Sequence, residues 1–207
     1  MKRSWTISVV VVSALLAGGL VAAILPSPHP AAAQATGRIY FVPLGPGGPV
    51  PLKELADHFR QTYRLNTAVL PELALTDPRL QDNARFQLIA EEVLGYMARK
   101  HPKLSWEPGA VVIGVTAQDM YISGLSWNFA FGHRDGDRFA VLSTARMDPT
   151  WLADPANPQL LRKRLRKAAT RMVGFLYYGY RETPDRRSVM FGPVLSFDDL
   201  DRLREDY

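Results

Sequence analysis

The chain has 207 residues, 47% of them hydrophobic and 22% charged, the balance of a folded protein with room for one sizeable core. Its formal charge of +5 and sequence pI near 9.6 overstate its basicity. Lys2 and Arg3 supply two of the 25 basic residues, so the chain beyond Ala35 holds 23 against 20 acidic ones, too small a surplus to argue for nucleic acid. The absence of cysteine excludes disulfides, cysteine-ligated zinc and thiol nucleophiles.

Lys2-Arg3 precede an uncharged, mostly apolar run from Trp5 to Leu25, then Pro26, Pro28, Pro30 and Ala31-Ala32-Ala33-Gln34-Ala35. A positive start, an apolar stretch and Ala33-x-Ala35 describe a secretory signal cleaved after Ala35. The same run is long enough to span a bilayer. Residues 1–25 therefore read as a signal peptide or an N-terminal membrane anchor, and both place the remainder outside the cytoplasm, because positive charge stays inside. Residues 26–37 read as a Pro/Ala-rich linker, and 38–207 as a single domain.

Within that domain Arg38 to Leu44 is dense in β-formers and predicts a strand. Leu52, Leu55, Ala56, Phe59 and Tyr63 recur at helical spacing, so 51–63 is an amphipathic helix. Asn66 to Leu70 is a second short strand, and 71–82 a loop with Asp77-Pro78 as a turn signal. A long helix is expected from Asn83 to Arg99, with Phe86, Ile89, Ala90, Val93, Leu94 and Met97 on its apolar face. Ala110 to Val115 is a nearly continuous apolar run, the mark of a strand buried on both faces. Trp127 to Phe131 and Phe139 to Ser143 predict two strands around a hairpin turn at His133-Arg-Asp-Gly-Asp. Asn157-Pro158 opens a third long helix, expected to reach Tyr178 with Gly179 as its C-terminal cap. A loop through Pro184 follows, and Ser196 caps a final short helix with two acids in its first turn. Strands and helices intermix, so the class is α/β (α+β), with a mixed, mostly parallel sheet and helices packed on it.

Several local stretches carry a family resemblance. Arg85-Phe86-Gln87-Leu88 resembles the Arg-x-Gln-Tyr helix of the archaemetzincins, a metzincin-type family of zinc peptidases. Val112 to Tyr121 (VIGVTAQDMY) is similar to that family's strand-turn segment ending Gly-Ile-Thr-x-x-Asp-Leu-Tyr. Phe131-Gly132 and Ser143-Thr-Ala-Arg146-Met147 look like its Phe-Gly and Ser-x-x-Arg-Leu pieces. Ser188-Val189-Met190 falls where the family has Cys-x-Met, the Met-turn beneath the metal. The resemblance covers roughly 38–200 and implies a metzincin-like fold.

What the resemblance implies about chemistry is mostly loss. The family carries zinc on a helix as His-Glu-x-x-His-x-x-Gly-x-x-His followed by Cys. The i,i+4 histidines share one helical face, and the glutamate acts as general base on metal-bound water. The corresponding stretch starts at Thr170. Thr170, Gly174 and Tyr180 then stand at the three histidine places, Arg171 at the glutamate and Tyr177 at the turn glycine, with Met190 in the Met-turn. A hydroxyl, a hydrogen atom and a phenol do not make a zinc site, and an arginine is no base. The remaining histidines, His29, His58, His101 and His133, include no i,i+4 pair and read as solvated or hydrogen-bonded surface residues. Ser126, Ser143 and Ser188 lack a Gly-x-Ser-x-Gly context. The basic run Arg162-Lys163-Arg164-Leu165-Arg166-Lys167 reads as a solvated helix face. Tyr177, Tyr178 and Tyr180 read as packing that fills the emptied cleft.

The expectation is an extracytoplasmic pseudo-peptidase without catalytic residues or cofactor. A peptide or protein in the old cleft is its expected partner, since pairing with an edge strand needs no metal. The membrane is a further partner if residues 5–25 are retained, and no nucleic acid is expected. Two alternatives stay open: a zinc-dependent peptidase with unconventional ligands, and a module whose basic helix meets membrane or nucleic acid.

Overall fold

The computed structural model describes residues 37–46 and 52–207. The signal or anchor segment and all but the last residue of the linker lie outside the described residues. The central sheet is built from β1 (Arg38–Pro43), β2 (Asn66–Val69), β5 (Ala110–Thr116), β7 (Gly132–Asp135) and β8 (Phe139–Ser143), in the order β2-β1-β5-β8-β7. The first four run parallel, and β7 is an antiparallel edge on β8. All seven residues of β5 are buried, as its uninterrupted apolar run requires of a strand covered on both faces.

Alternation along the strands divides the core into two layers. Ile39, Phe41, Ile113 and Leu142 face one side, against α1 (Leu52–Thr62) and α4 (Pro158–Leu176). Tyr40, Val42, Val112 and Val141 face the other, against α2 (Ala90–Lys100). The short α3 (Pro102–Trp106) leads into β5, and α5 (Phe197–Arg202) packs on α4. This is the expected α/β architecture, a mostly parallel mixed sheet between helices.

Three sequence expectations fail locally. The helix expected from Asn83 begins only at Ala90. Ahead of it β3 (Gln81–Asp82) and β4 (Gln87–Ile89) form a small antiparallel pair, inside what read as loop and helix. Asp82 decides this: its carboxylate accepts from the backbone N–H groups of Ala84 and Arg85, at 2.9 and 3.2 Å, and so closes a turn in place of a helix start. Phe86, expected on the apolar face, is 82% exposed with φ of +55°. Trp127 to Phe131 is not a strand. The strand begins at Gly132, so His133 lies in β7, and the hairpin turn falls on Gly136, φ +64°.

The third failure is the basic run on α4. Arg164 and Lys167 are 7% and 1% exposed, not a solvated face. Arg164 makes a two-point pair with Asp201, and the Lys167 ammonium donates to the carbonyls of Leu200 and Asp201. Arg166 pairs with Glu205, and Arg162 with Glu54. Most of the positive charge that suggested an external surface is spent holding α5 and the residues after it onto α4.

The dispersed motif pieces converge on one carboxylate. Asp119 accepts from Gln87 at 2.7 Å and from the Arg146 guanidinium at 2.8–3.1 Å. Gln87 is in turn bonded by Arg85, whose guanidinium lies 3.9 Å from the Tyr121 ring centroid. Arg85 and Gln87 also donate to the carbonyl of Asn128. This network ties β4 and β6 (Met120–Tyr121) to the loop that delivers β7 to the sheet edge. The loop ahead of the edge strand is therefore held by Arg85 and Gln87, and Asp119 and Arg146 fix Gln87 through charge-assisted bonds.

Candidate functional site

α4 runs unbroken through Gly174 to Leu176, where Tyr177 caps it. The chain then turns at Gly179, φ +67°, a conformation glycine adopts at no steric cost. The N–H of Tyr180 reaches back to the carbonyl of Gly174 at 2.9 Å. The turn glycine is thus Gly179, two residues beyond the position that read as Tyr177.

The sequence-predicted site residues divide between two environments. Thr170, Gly174, Tyr180 and Met190 gather around Tyr207, which sequence reasoning missed. The Tyr207 hydroxyl donates to the Thr170 carbonyl at 2.6 Å. Its ring meets those of Tyr63, Tyr178 and Tyr180 edge-on, at centroid distances of 5.0–5.6 Å. A Cβ at Gly174 would sit 2.5 Å from the Met190 sulfur and 2.8 Å from the Tyr207 ring. Burial among phenols pushes Tyr178 up to about 12 and Tyr207 higher still, so both stay neutral. Tyr178 and Tyr180 do pack here, whereas Tyr177 turns into the core under the sheet.

Arg171 belongs to the second environment. It is 8% exposed. One arm of its guanidinium donates to the carbonyls of Phe191 and Val189, the other to Glu182, and its plane lies over Phe175. It thereby brackets α4 to the Ser188–Phe191 turn, where Ser188 accepts from the N–H of Met190. Burial pulls the Arg171 guanidinium down, opposed by the Glu182 charge. Gly192 leaves room for this pair, since a Cβ there would lie 2.3 Å from the carboxyl carbon at the flexible end of Glu182.

Arg171, Met172, Phe175 and Glu182 line a cavity of about 630 Å³. It opens between α4, the β7 edge and the segment after Gly192. Phe129, Phe131 and Val194 supply apolar walls, and His133 and Arg134 the rim from β7. Among the described residues β7 pairs only with β8, so its outer edge faces solvent as an unfilled row of main-chain donors and acceptors. Met172 and Glu182 were missed as site residues. The available signal was Gly179 itself, the first glycine after the helix.

The donor chemistry does not fit a metal. Thr170 offers only a neutral hydroxyl, and Gly174 offers no donor atom. Arg171 is a cation, and the single carboxylate lining the cavity, Glu182, is already paired. Among the described residues no three His, Asp or Glu side chains are grouped as metal ligands.

No family model matches the chain. An archaemetzincin of Pyrococcus furiosus is 34% identical over 79 residues, 38% of this chain and 40% of that protein. One of Methanopyrus kandleri is 41% identical over 80 residues, 38% of this chain and 41% of that protein. The chain thus spans about two fifths of the length of the curated relatives it matches. The crystal structure of archaemetzincin from Archaeoglobus fulgidus is similar with a TM-score of 0.64 and 25% identity, over 82% of this chain and 94% of that one. That from Methanopyrus kandleri gives 0.63 and 26%, over 84% and 91%.

Two outcomes are expected. Gly174→Ala in a solvated helix would stabilise by about 1 kcal/mol. Against Met190 and Tyr207 it overpacks, at a cost of about 1–3 kcal/mol, so urea denaturation is expected to show a net loss. Burial also holds His58, His101 and His133 below the ordinary imidazole range. The unfolded chain takes up protons near about 6.5, while the folded one resists. Stability should therefore be fully present above that pH and fall as pH drops through the lowered folded values. Urea midpoints at pH 8 and pH 5.5 check this, and His133→Gln should reduce the difference.

Proposed function

The chain is archaemetzincin-like in sequence and fold, and on that premise we propose that it is a noncatalytic relative of the zinc peptidases whose cleft binds peptide without cleaving it. The observation that carries this reading is the side chains along the cleft: a buried, paired arginine, a thioether and one neutralised carboxylate in place of a ligand set and a general base.

The reading does not depend on how the zinc motif is laid on α4. Started at Thr170, the motif places Thr170, Arg171, Gly174, Tyr177 and Tyr180. We favour a start at Met172, which lays the motif's glycine on Gly179, where the chain does turn. Met172 and Leu176 then stand at the first two histidine places, Val173 at the glutamate, and Glu182 and Thr183 at the final His-Cys. Both layouts lack three nitrogen, sulfur or carboxylate ligands with an open position. A peptide has two means of binding that need no metal: strand pairing on the β7 edge and apolar side chains in the cavity. The basic-helix alternative loses support, because Arg162, Arg164, Arg166 and Lys167 are engaged within the chain. Residues 1–35 support an extracytoplasmic location, by cleaved signal or retained anchor.

The purified protein is expected to hold no stoichiometric zinc after dialysis against the metal, and to cleave no member of a peptide library. One zinc per chain with chelator-sensitive cleavage would falsify this reading. The combined change Met172→His, Val173→Glu, Leu176→His and Glu182→His should gain zinc affinity. Thr170→His, Arg171→Glu, Gly174→His and Tyr180→His should not; the reverse result would restore the Thr170 layout. N-terminal sequencing of the exported protein should give either Thr36 or the intact start, and full-length protein free in the cytosol would refute both.

A further inference from the structure

The cavity beneath the β7 edge is lined mostly by apolar side chains, and its charged lining is two arginines and one carboxylate. The Arg171 side chain is 10% exposed, whereas that of its partner Glu182 is 54% exposed. Arg134 and Arg171 both lie over the Phe175 ring, their guanidiniums 4.4 and 4.8 Å from its centroid. Among the described residues Arg134 forms no ion pair; its one hydrogen bond is a long contact to the Gly136 carbonyl. The charged groups lining the cavity are Arg134, Arg171 and Glu182, with His133 beside them. The balance is one positive charge with His133 neutral.

A buried guanidinium needs a full set of acceptors. Main-chain carbonyls of Val189 and Phe191 fill one side of Arg171 and fix it in place. The other side holds a carboxylate that is still half in water, and such a partner can be exchanged for another carboxylate at little net cost. The exchange would free Glu182 to hydrate fully and bring the incoming acid beside Arg134. Phe129, Phe131 and Val194 would take the apolar flank of the same ligand.

We propose that this cavity reads a carboxylate on the bound chain, an acidic side chain or a chain terminus, which replaces Glu182 against Arg171 and lies beside Arg134. The inference rests on the cleft being a peptide groove, and it specifies which peptide.

The test is calorimetric titration of the full chain with four short probes. Two are capped leucine-rich peptides with a central Glu or Gln; two are the all-leucine peptide with a free or an amidated terminus. Binding of the Glu peptide at least about tenfold tighter than the Gln peptide, a gap of about 1.4 kcal/mol, assigns the site to an acidic side chain. The same preference for the free terminus assigns it to a chain end. Glu182→Gln keeps the shape beside Gly192 and removes the internal competitor, so it should tighten the preferred acid. Arg134→Gln, at an exposed position, should weaken it. Both variants are first shown to melt as the parent does, and Arg171 is left intact because it holds the Ser188–Phe191 turn. Equal binding of acid and amide forms by the parent and by Glu182→Gln overturns this inference and leaves the peptide groove standing. Failure of all four probes on both proteins overturns the two together.

Discussion

A guanidinium buried between a helix and a turn organises the functional half of this protein. Arg171 would be costly inside the molecule without acceptors. It is tolerated because Val189, Phe191 and Glu182 supply them. The requirement runs both ways. The turn carrying Met190 is held against α4 because the arginine needs its carbonyls, and the absence of a side chain at Gly192 leaves room for Glu182. The position of the Met190 sulfur over Gly174 follows from the same bracket.

The opposite wall of the cleft depends on a second charge network. Asp119 gathers Gln87 and Arg146, and through them Arg85 and the Asn128 carbonyl. These bonds are charge-assisted and partly shielded from solvent, the class that holds geometry rather than merely decorating a surface. β7 is therefore delivered to the sheet edge by a rigid loop, although the loop has no regular secondary structure of its own. Between the two walls lies a mostly apolar cavity, with the Arg171–Glu182 pair on one of them. The cleft presents a shaped cavity beside a sheet edge that pairs only with β8 among the described residues.

The α4 basic run shows why charge in a sequence is ambiguous. Six consecutive residues with five cations suggest a solvated or surface-binding face. A helix, however, sends successive residues to different sides. Arg164 and Lys167 point inward to Asp201 and to the carbonyls closing α5, while Arg162 and Arg166 reach Glu54 and Glu205. Those acceptors lie far off in the sequence, so nothing local announces them. Tyr207 is a similar case: it stands 37 residues from Thr170, and only the packing of the last residues along α4 brings its hydroxyl to that carbonyl.

The sequence by itself determined the layered α/β class, the parallel core strands and the long fourth helix, because apolar periodicity is a local property that burial enforces. It also determined that no cysteine is available as a ligand or nucleophile, since residue identity decides donor chemistry wherever the backbone goes. The tertiary structure alone decided the start of α2, where the Asp82 side chain captures the backbone for a turn. It alone decided that Arg171 faces Glu182 across the cleft while Thr170 and Gly174 face Tyr207. Those pairings join residues separated by 11 to 37 positions, and such contacts are fixed by packing rather than by any pattern along the chain.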